Sequence, residues 1–131
     1  RQQMSLQSDA LRMTFAGRPR SWSRTAMHNG RRLTPKALRT YKRLVAQVMR
    51  NARIRRSFWP GECKSTRFRV SIDFRLPDRR HCDIDNLAKA VLDAGNGLLW
   101  ADDWQIDSLC ITKEHRCESP GFDMTVEACD E

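Results

Sequence analysis

The chain has 131 residues, 40% of them hydrophobic, and carries 24 Lys and Arg against 16 Asp and Glu, a formal charge of +8. This length suits one compact domain, and the apolar content excludes a disordered chain. The longest uncharged stretch, residues 94–101, is far shorter than the roughly 20 apolar residues of a membrane-spanning helix. No signal-peptide pattern follows Met4, so we expect a cytoplasmic protein with a flexible tail at 1–9 and one domain at 10–131.

The charges are unevenly distributed along the chain. Residues 1–66 hold 16 basic and two acidic residues, a net +14, whereas residues 67–131 hold eight basic and 14 acidic residues, a net −6. Of the 24 basic residues 19 are Arg, whose planar guanidinium pairs with phosphate through two hydrogen bonds. The first half therefore suits a polyanionic partner, although a basic excess alone also fits an ordinary solvated surface.

A short strand and a basic loop are predicted first. Leu11, Met13 and Phe15 alternate with polar residues, which is typical of a half-buried strand. Residues 17–32 show no periodicity and are rich in Arg, which indicates a loop. Its one aromatic residue, Trp22, is interpreted either as an anchor for the loop or as a stacking platform for an unpaired base.

An amphipathic helix is predicted next. Thr34 suits its N-cap and Pro35 its first turn. Basic residues occupy the outer faces, and the apolar residues recur at helical spacing: Leu38, Tyr41, Val45, Val48, Met49 and Ala52. The cluster Trp59-Pro60-Gly61 stops the pattern.

The second half predicts three strands and one helix. Residues 67–76 alternate without a break between apolar and polar side chains, so one face is core and the other wet and largely basic. A helix over Leu87 to Ala94 is followed by further strands at 106–112 and 122–128. The order β-α-β-α-β-β predicts a small single α+β domain, with two helices packed against one mixed sheet.

The five cysteines do not form a recognisable metal or disulfide pattern. They are Cys63, Cys82, Cys110, Cys117 and Cys129, an odd number without a C-x-x-C pair. Reduced, partly buried thiols are therefore favoured over a zinc site.

Carboxylates are concentrated around the second helix. Asp83 and Asp85 precede its apolar run, and Asp102 and Asp103 follow it. In an extended approach to the helix, the first two acids would point to the same side. If the chain returns into the sheet beside them, Asp103 completes a hard-oxygen site suited to Mg²⁺ or Mn²⁺. Such a metal polarises a phosphoryl oxygen and activates the attacking water.

Each of these residues also has a purely structural interpretation. Asp85 suits an N-cap, and the pair Asp102-Asp103 suits a turn. Lys89 lies one turn after Asp85, where it can reach a phosphate oxygen or form an i,i+4 ion pair with Asp85 or Asp93. These structural interpretations account for each residue taken singly. They account less well for all the acids together, because a cap needs one acid and not two.

A family resemblance rests on the same segment. The run D-I-D-N-L-A-K-A over residues 83–90, with Asp93-Ala94 and then D-D-W-Q-I over residues 102–106, resembles the signature of RusA-type endodeoxyribonucleases. These enzymes are Holliday-junction resolvases of bacteria and prophages. The pattern D-x-D-N-x-x-K-x-x-x-D-A followed by D-D-x-Q-I is matched at every polar position, and Cys82 stands where members often have Arg or Pro.

The resemblance implies a homodimeric α+β enzyme that makes paired nicks across a four-way DNA junction with a divalent metal, in recombination and repair. Asp83, Asp85 and Asp103 correspond to the catalytic metal ligands and Asp102 to a supporting acid. Lys89 corresponds to the essential basic residue near the scissile phosphate.

DNA contacts are expected from the basic loop, the cationic face of the first helix, the link before Asp83 and the second helix. The candidates are Arg18, Arg20, Arg24, Arg31, Arg32, Arg79, Arg80, Asn86 and Lys89. Trp100 and Trp104 are expected to pack around the acidic pair. Two alternatives stay open: a branched-DNA-binding module without catalysis, and a nuclease acting on RNA or unbranched DNA.

Overall fold

The computed structural model describes residues 10–22, 26–28, 31–33, 36–56 and 58–129; for residues 26–28, 31–33 and 62 it describes the backbone alone. Its strands are β1 Leu11–Ala16, β2 Ala26–His28, β3 Arg31–Leu33, β4 Arg67–Arg75, β5 Ile106–Glu114 and β6 Gly121–Cys129. Its α-helices are α1 Lys36–Ile54 and α2 Ile84–Gly95, and short 3₁₀ turns lie at Pro60–Glu62 and Asp103–Gln105.

Four of these strands form one mixed sheet. Its order is β1-β6-β4-β5, so the last strand, β6, lies between β1 and β4 and is antiparallel to both. Strands β4 and β5 are parallel. Parallel neighbours need a crossover connection, and α2 provides it. The predicted fold class and element order are confirmed.

The core lies between the sheet and the two helices. Strand β4 buries Phe68, Val70, Ile72 and Phe74 with the strict alternation that the sequence predicts. Helix α1 contributes one buried face, made of Leu38, Tyr41, Val45, Met49 and Ala52. Neither described helix is both long and apolar enough to cross a bilayer.

The outer face of the sheet differs from the basic surface expected for β4. Arg75 pairs with Asp123 at 2.6 Å, and Arg69 pairs with Glu127 at 3.4 Å. Glu127 of β6 lies directly opposite Arg69, and Asp123 lies diagonally across from Arg75, so opposite charges offset each other across the two neighbouring strands. This face is therefore not the strongly cationic surface that β4 alone indicates.

The segment predicted as an unstructured basic loop contains a small hairpin. Strands β2 and β3 pair antiparallel, with Ala26 opposite Leu33 and His28 opposite Arg31. The sequence carried a signal for it, since Asn29-Gly30 is a favoured two-residue hairpin connection. Those two residues and the expected helix start at Thr34-Pro35 lie outside the described residues.

A close contact fixes the turn that follows α2. A Cβ added to Gly95 would lie 2.7 Å from Cζ2 of Trp100, an indole that is almost fully buried. The indole N–H of Trp100 donates to Asn96 Oδ1 at 2.9 Å. The turn leading towards Asp102 and Asp103 is therefore held by a ring that fits only against a glycine.

Gly95→Ala is expected to lower the free energy of unfolding by about 1–3 kcal/mol, because a rigid buried ring must move. Helix propensity alone favours Ala over Gly by about 1 kcal/mol, so an equal or higher stability in urea unfolding would contradict the contact. Trp100→Phe combined with Gly95→Ala should cost less than the sum of the two single changes, because the smaller ring relieves the overlap.

Candidate active site

The first two acids lie at the start of α2. Asp83 is the N-cap, with extended backbone (φ −77°, ψ 136°), and its side chain makes no capping hydrogen bond. Asp85 is already in the first helical turn, where its Oδ1 accepts from the backbone N–H of Asn86 at 2.9 Å. The expectation that both acids precede the helix in an extended segment is therefore wrong, as is the interpretation of Asp85 as the N-cap.

Both carboxylates are exposed. The free N–H groups and the positive end of the dipole favour negative charge at this end of α2. Neither Asp83 nor Asp85 forms an ion pair with a described residue. The helix start thus presents two accessible carboxylates that are not neutralised by a cation of the described chain.

The other two acids open the 3₁₀ turn before β5. Asp102 is its N-cap, and Asp102 Oδ1 accepts from the N–H of Asp103 at 2.8 Å. Gln105 completes a reciprocal capping box with Asp102. Asp102 therefore caps the turn, as its structural interpretation predicts, while Asp103 is the first residue of the turn and is exposed.

Gln105 is the residue that sequence reasoning missed. Its side chain is fully buried, and Oε1 accepts from the N–H groups of Ala101 at 2.8 Å and Asp102 at 3.2 Å. Its Nε2 donates to the carbonyl oxygens of Cys63 at 3.0 Å and Thr66 at 2.9 Å. One amide thus uses two donors and two acceptor positions to join the acidic turn to the loop before β4. The spacing D-x-x-Q was the available signal.

Asp103 lies in a negative neighbourhood beside α2. Partial burial is the largest cause of its raised pKa. The charges of Asp102 and Asp93 raise the pKa further, and the charge of Lys89 lowers it. Lys89 and Asp93 follow Asp85 by one and two helical turns, so two charged residues of α2 influence the carboxyl of Asp103.

Lys89 has two neighbours in the structure. Its Nζ lies 3.7 Å from Asp93 Oδ1, the i,i+4 pair that the spacing allows, and 5.1 Å from the ring centre of Trp22. The backbone N–H of Trp22 donates to the carbonyl oxygen of Asn86 at 2.9 Å. Trp22 is half-buried against the core, which favours its interpretation as an anchor. The basic loop is therefore attached to the start of α2.

The donor chemistry of the four acids fits a divalent cation. Hard carboxylate oxygens are the ligands that Mg²⁺ and Mn²⁺ prefer, and a cation would relieve the repulsion that raises the pKa of Asp103. As placed, the side chains of the described residues form no group of three or more His, Cys, Asp or Glu that could hold a metal ion. Asp103 is the acid whose pKa responds to its neighbours, since the charges of Asp102 and Asp93 add to the effect of its partial burial.

Cationic side chains border Asp83 on the linker side. Asp78 receives a hydrogen bond from the N–H of Arg80 at 3.1 Å and an ion pair from Arg18 at 3.1 Å, and these contacts lower its pKa. Arg20 and Arg79 are exposed. Of the other predicted DNA contacts, Arg24 and the side chains of Arg31 and Arg32 lie outside the described residues.

The two tryptophans near the acids differ. Trp100 is buried in the core, whereas Trp104 is 52% exposed, with the guanidinium of Arg67 lying 5.2 Å from its ring centre. The expectation that the two tryptophans pack around the acidic pair stays a prediction. All five cysteines are free. A hydrogen bond with Ser65 lowers the pKa of the exposed Cys63 to about 7.

The described domain thus combines a mixed four-stranded sheet with exposed carboxylates that lie near Lys and Arg side chains. Residues 15–127 match the family described as endodeoxyribonuclease RusA. The chain belongs to this family, which confirms the resemblance seen in the sequence. No curated protein matches the chain. Membership implies endodeoxyribonuclease activity, in a family that acts on branched DNA.

Proposed function

We propose that this protein is a metal-dependent, structure-selective endodeoxyribonuclease that resolves four-way (Holliday) junctions by paired phosphodiester hydrolysis, in DNA recombination and repair. The observation that carries the proposal is family membership over residues 15–127, together with two exposed, unneutralised carboxylates at the start of α2. The protein would act in the cytoplasm of a bacterium and be encoded by the chromosome or a prophage.

Asp83, Asp85 and Asp103 are proposed to hold Mg²⁺, with Mn²⁺ as a substitute, and Asp102 to support Asp103. When bound, the cation supplies charge stabilisation for phosphodiester hydrolysis. Lys89 is proposed to leave Asp93 and donate to a non-bridging oxygen of the scissile phosphate. The exposed ammonium can change partners at a small cost in free energy, because a surface ion pair contributes only tenths of a kcal/mol.

DNA is proposed to approach along the basic side of the site. Arg18, Arg20, Arg79 and Arg80 are described near Asp83 or on the adjoining loop, and Asn86 lies at the start of α2. Arg24, Arg31 and Arg32 extend the proposed set along the hairpin segment. Contacts of this kind position the backbone without reading bases, which suits an enzyme that recognises the shape of its substrate.

A homodimer is proposed as the active form. Two-fold symmetry places two copies of one site on opposite sides of a symmetric junction. Paired incision then follows from the geometry of the assembly, because each subunit cuts one of two equivalent strands.

One assay tests the function. Labelled four-way junction and a linear duplex of the same sequence are incubated with wild type, Asp83→Asn and Glu118→Gln, in Mg²⁺, in Mn²⁺ and in EDTA. Glu118 is an exposed acid between β5 and β6 and serves as the matched control for loss of one charge. We expect wild type and Glu118→Gln to cut the junction with either cation, EDTA to stop cutting, and Asp83→Asn to bind at least as tightly without cutting.

The other outcomes separate the alternatives. Binding without cutting in both cations would indicate a branched-DNA-binding module and overturn the enzyme. Equal cutting of linear duplex would overturn junction selectivity. A large loss of junction binding by Asp83→Asn would contradict a place for this carboxylate at the metal, since the substitution removes negative charge facing phosphate.

A further inference from the structure

Three adjoining cavities form one groove that begins at Asp83. The first, about 380 Å³, contains Asp83, Arg79 and Lys113. The second, about 270 Å³, shares Arg80 with the first and extends to Arg20. The third, about 570 Å³, shares Arg20 with the second and includes Lys36, in the first turn of α1. We call this continuous depression, from Asp83 to Lys36, the side groove.

The side groove is strongly cationic. Its basic residues are Arg18, Arg20, Lys36, Arg79, Arg80 and Lys113, and its acids are Asp78 and Asp83. Asp78 is engaged by Arg18 at 3.1 Å and by Arg80 at 3.9 Å. The middle of the groove therefore keeps an excess of positive charge, with both arginines held in place by one acid. A cleft lined by one sign of charge concentrates its field on a ligand of the opposite sign.

Two residues of β5 and the segment after it fix the wall of the groove next to Asp83. Lys113 Nζ donates to the carbonyl oxygen of Cys82 at 2.5 Å, and His115 Nδ1 lies 3.0 Å from the carbonyl oxygen of Asp78. The linker that carries Arg79 and Arg80 is thus attached to the end of β5 and the residue after it at two points, Asp78 and Cys82. A wall held in this way loses little conformational entropy when a ligand binds.

We propose that the side groove binds the sugar–phosphate backbone of one DNA strand, which runs from the scissile phosphate at Asp83 to the start of α1. The proposal rests on the proposed function and adds two named contacts, Lys113 near the cut and Lys36 in the first turn of α1. The ligand class is a run of DNA phosphodiesters, and the groove contacts them without base specificity.

The test is the salt dependence of junction binding in EDTA, where nothing is cut. Dissociation constants are measured from 50 to 200 mM NaCl for wild type, Lys36→Gln, Lys113→Gln and the control Lys64→Gln, an exposed lysine outside the groove. Each phosphate contact contributes about 0.9 to the slope of log K against log salt. We expect Lys36→Gln and Lys113→Gln each to reduce the slope by about 0.9 per engaged subunit, and Lys64→Gln to leave it unchanged.

Two results would overturn the side groove. One is a wild-type slope in both groove variants, and the other is an equal reduction in Lys64→Gln, which indicates diffuse binding. Lys36 is exposed and lies on the helix surface, so its substitution tests the groove even if Lys113→Gln disturbs the linker. Failure of the proposed function has a different signature, because it appears in the cleavage assay, where wild type would bind the junction without cutting it or would cut linear duplex equally well.

Discussion

Asp103→Asn is expected to abolish junction cleavage and, at the same time, to raise the thermal stability of the metal-free protein at pH 7. The loss of cleavage follows from the proposed role of Asp103 as a metal ligand. The gain in stability follows from its surroundings, because burial and the charges of Asp102 and Asp93 raise its pKa in the folded state. A carboxyl with a raised pKa is less favourable when ionised in the fold than in the unfolded chain.

The pH dependence gives the sign of this effect. Below the unfolded pKa of about 3.8 the carboxyl is neutral in both states, so Asp and Asn should give similar unfolding temperatures. As the pH rises through the raised folded pKa, the ionised Asp loses stability relative to the neutral Asn. Thermal unfolding in EDTA at pH 3 and pH 7 measures the difference, which should grow with pH.

Asp107→Asn is the matched control. Asp107 is 49% exposed and pairs with Arg67 at 3.2 Å, so its neutralisation should leave stability at pH 7 unchanged or slightly lower. If Asp103→Asn unfolds at a lower temperature than wild type at pH 7, that result would contradict the inference that burial and like charges destabilise the ionised Asp103. Retained cleavage in that variant would instead remove Asp103 from the proposed metal ligands.

Gln105→Leu is expected to lower the free energy of unfolding by about 2–4 kcal/mol and to reduce cleavage even where the protein remains folded. Leucine has a similar size but leaves four backbone groups without their partner, two carbonyl oxygens and two N–H groups. An unsatisfied buried polar group costs about 1–3 kcal/mol, and partial access to water lowers the total. Cleavage should fall because Asp103 lies in the turn that this amide holds.

Urea unfolding and single-turnover cleavage measure the two effects separately. Gln47→Leu is the control, since Gln47 is exposed on α1 and hydrogen-bonds only to neighbours on the same helix in the described structure, Asn51 and Arg50. We expect Gln47→Leu to stay within about 0.5 kcal/mol of wild type. A similarly small effect of Gln105→Leu would show that the four hydrogen bonds do not stabilise the turn.

The elements with a regular pattern could be predicted from the sequence. Strand β4 and helix α1 follow their periods of two and 3.6 residues over their whole length, and each buries the predicted face. The irregular strand β5 was also located, although its register shifts between Phe68 and Arg69 of β4. The local pattern was sufficient for β4 and α1, because residues that share one face recur at a fixed spacing along the element.

The arrangement of the acids could not be predicted in the same way. Whether Asp85 belongs to the approach or to the helix depends on which residue caps α2, and both Asp83 and Asp85 are good caps by type. Asp103 lies beside Lys89 and Asp93 because of how the turn after α2 folds back. The partners of Gln105 on the other loop are 39 and 42 residues away in sequence, beyond any periodic signal.

The central position of β6 has a consequence for the order of folding. Its pairing with β1 joins Leu11 to Val126, and its pairing with β4 joins Phe68 to Ala128. Contacts between such distant residues form late and slow folding, because a long chain must close before any of them is gained. During synthesis the sheet stays incomplete until residues 121–129 have left the ribosome. A nascent chain therefore carries its basic loop and its acids before it has the scaffold that aligns them.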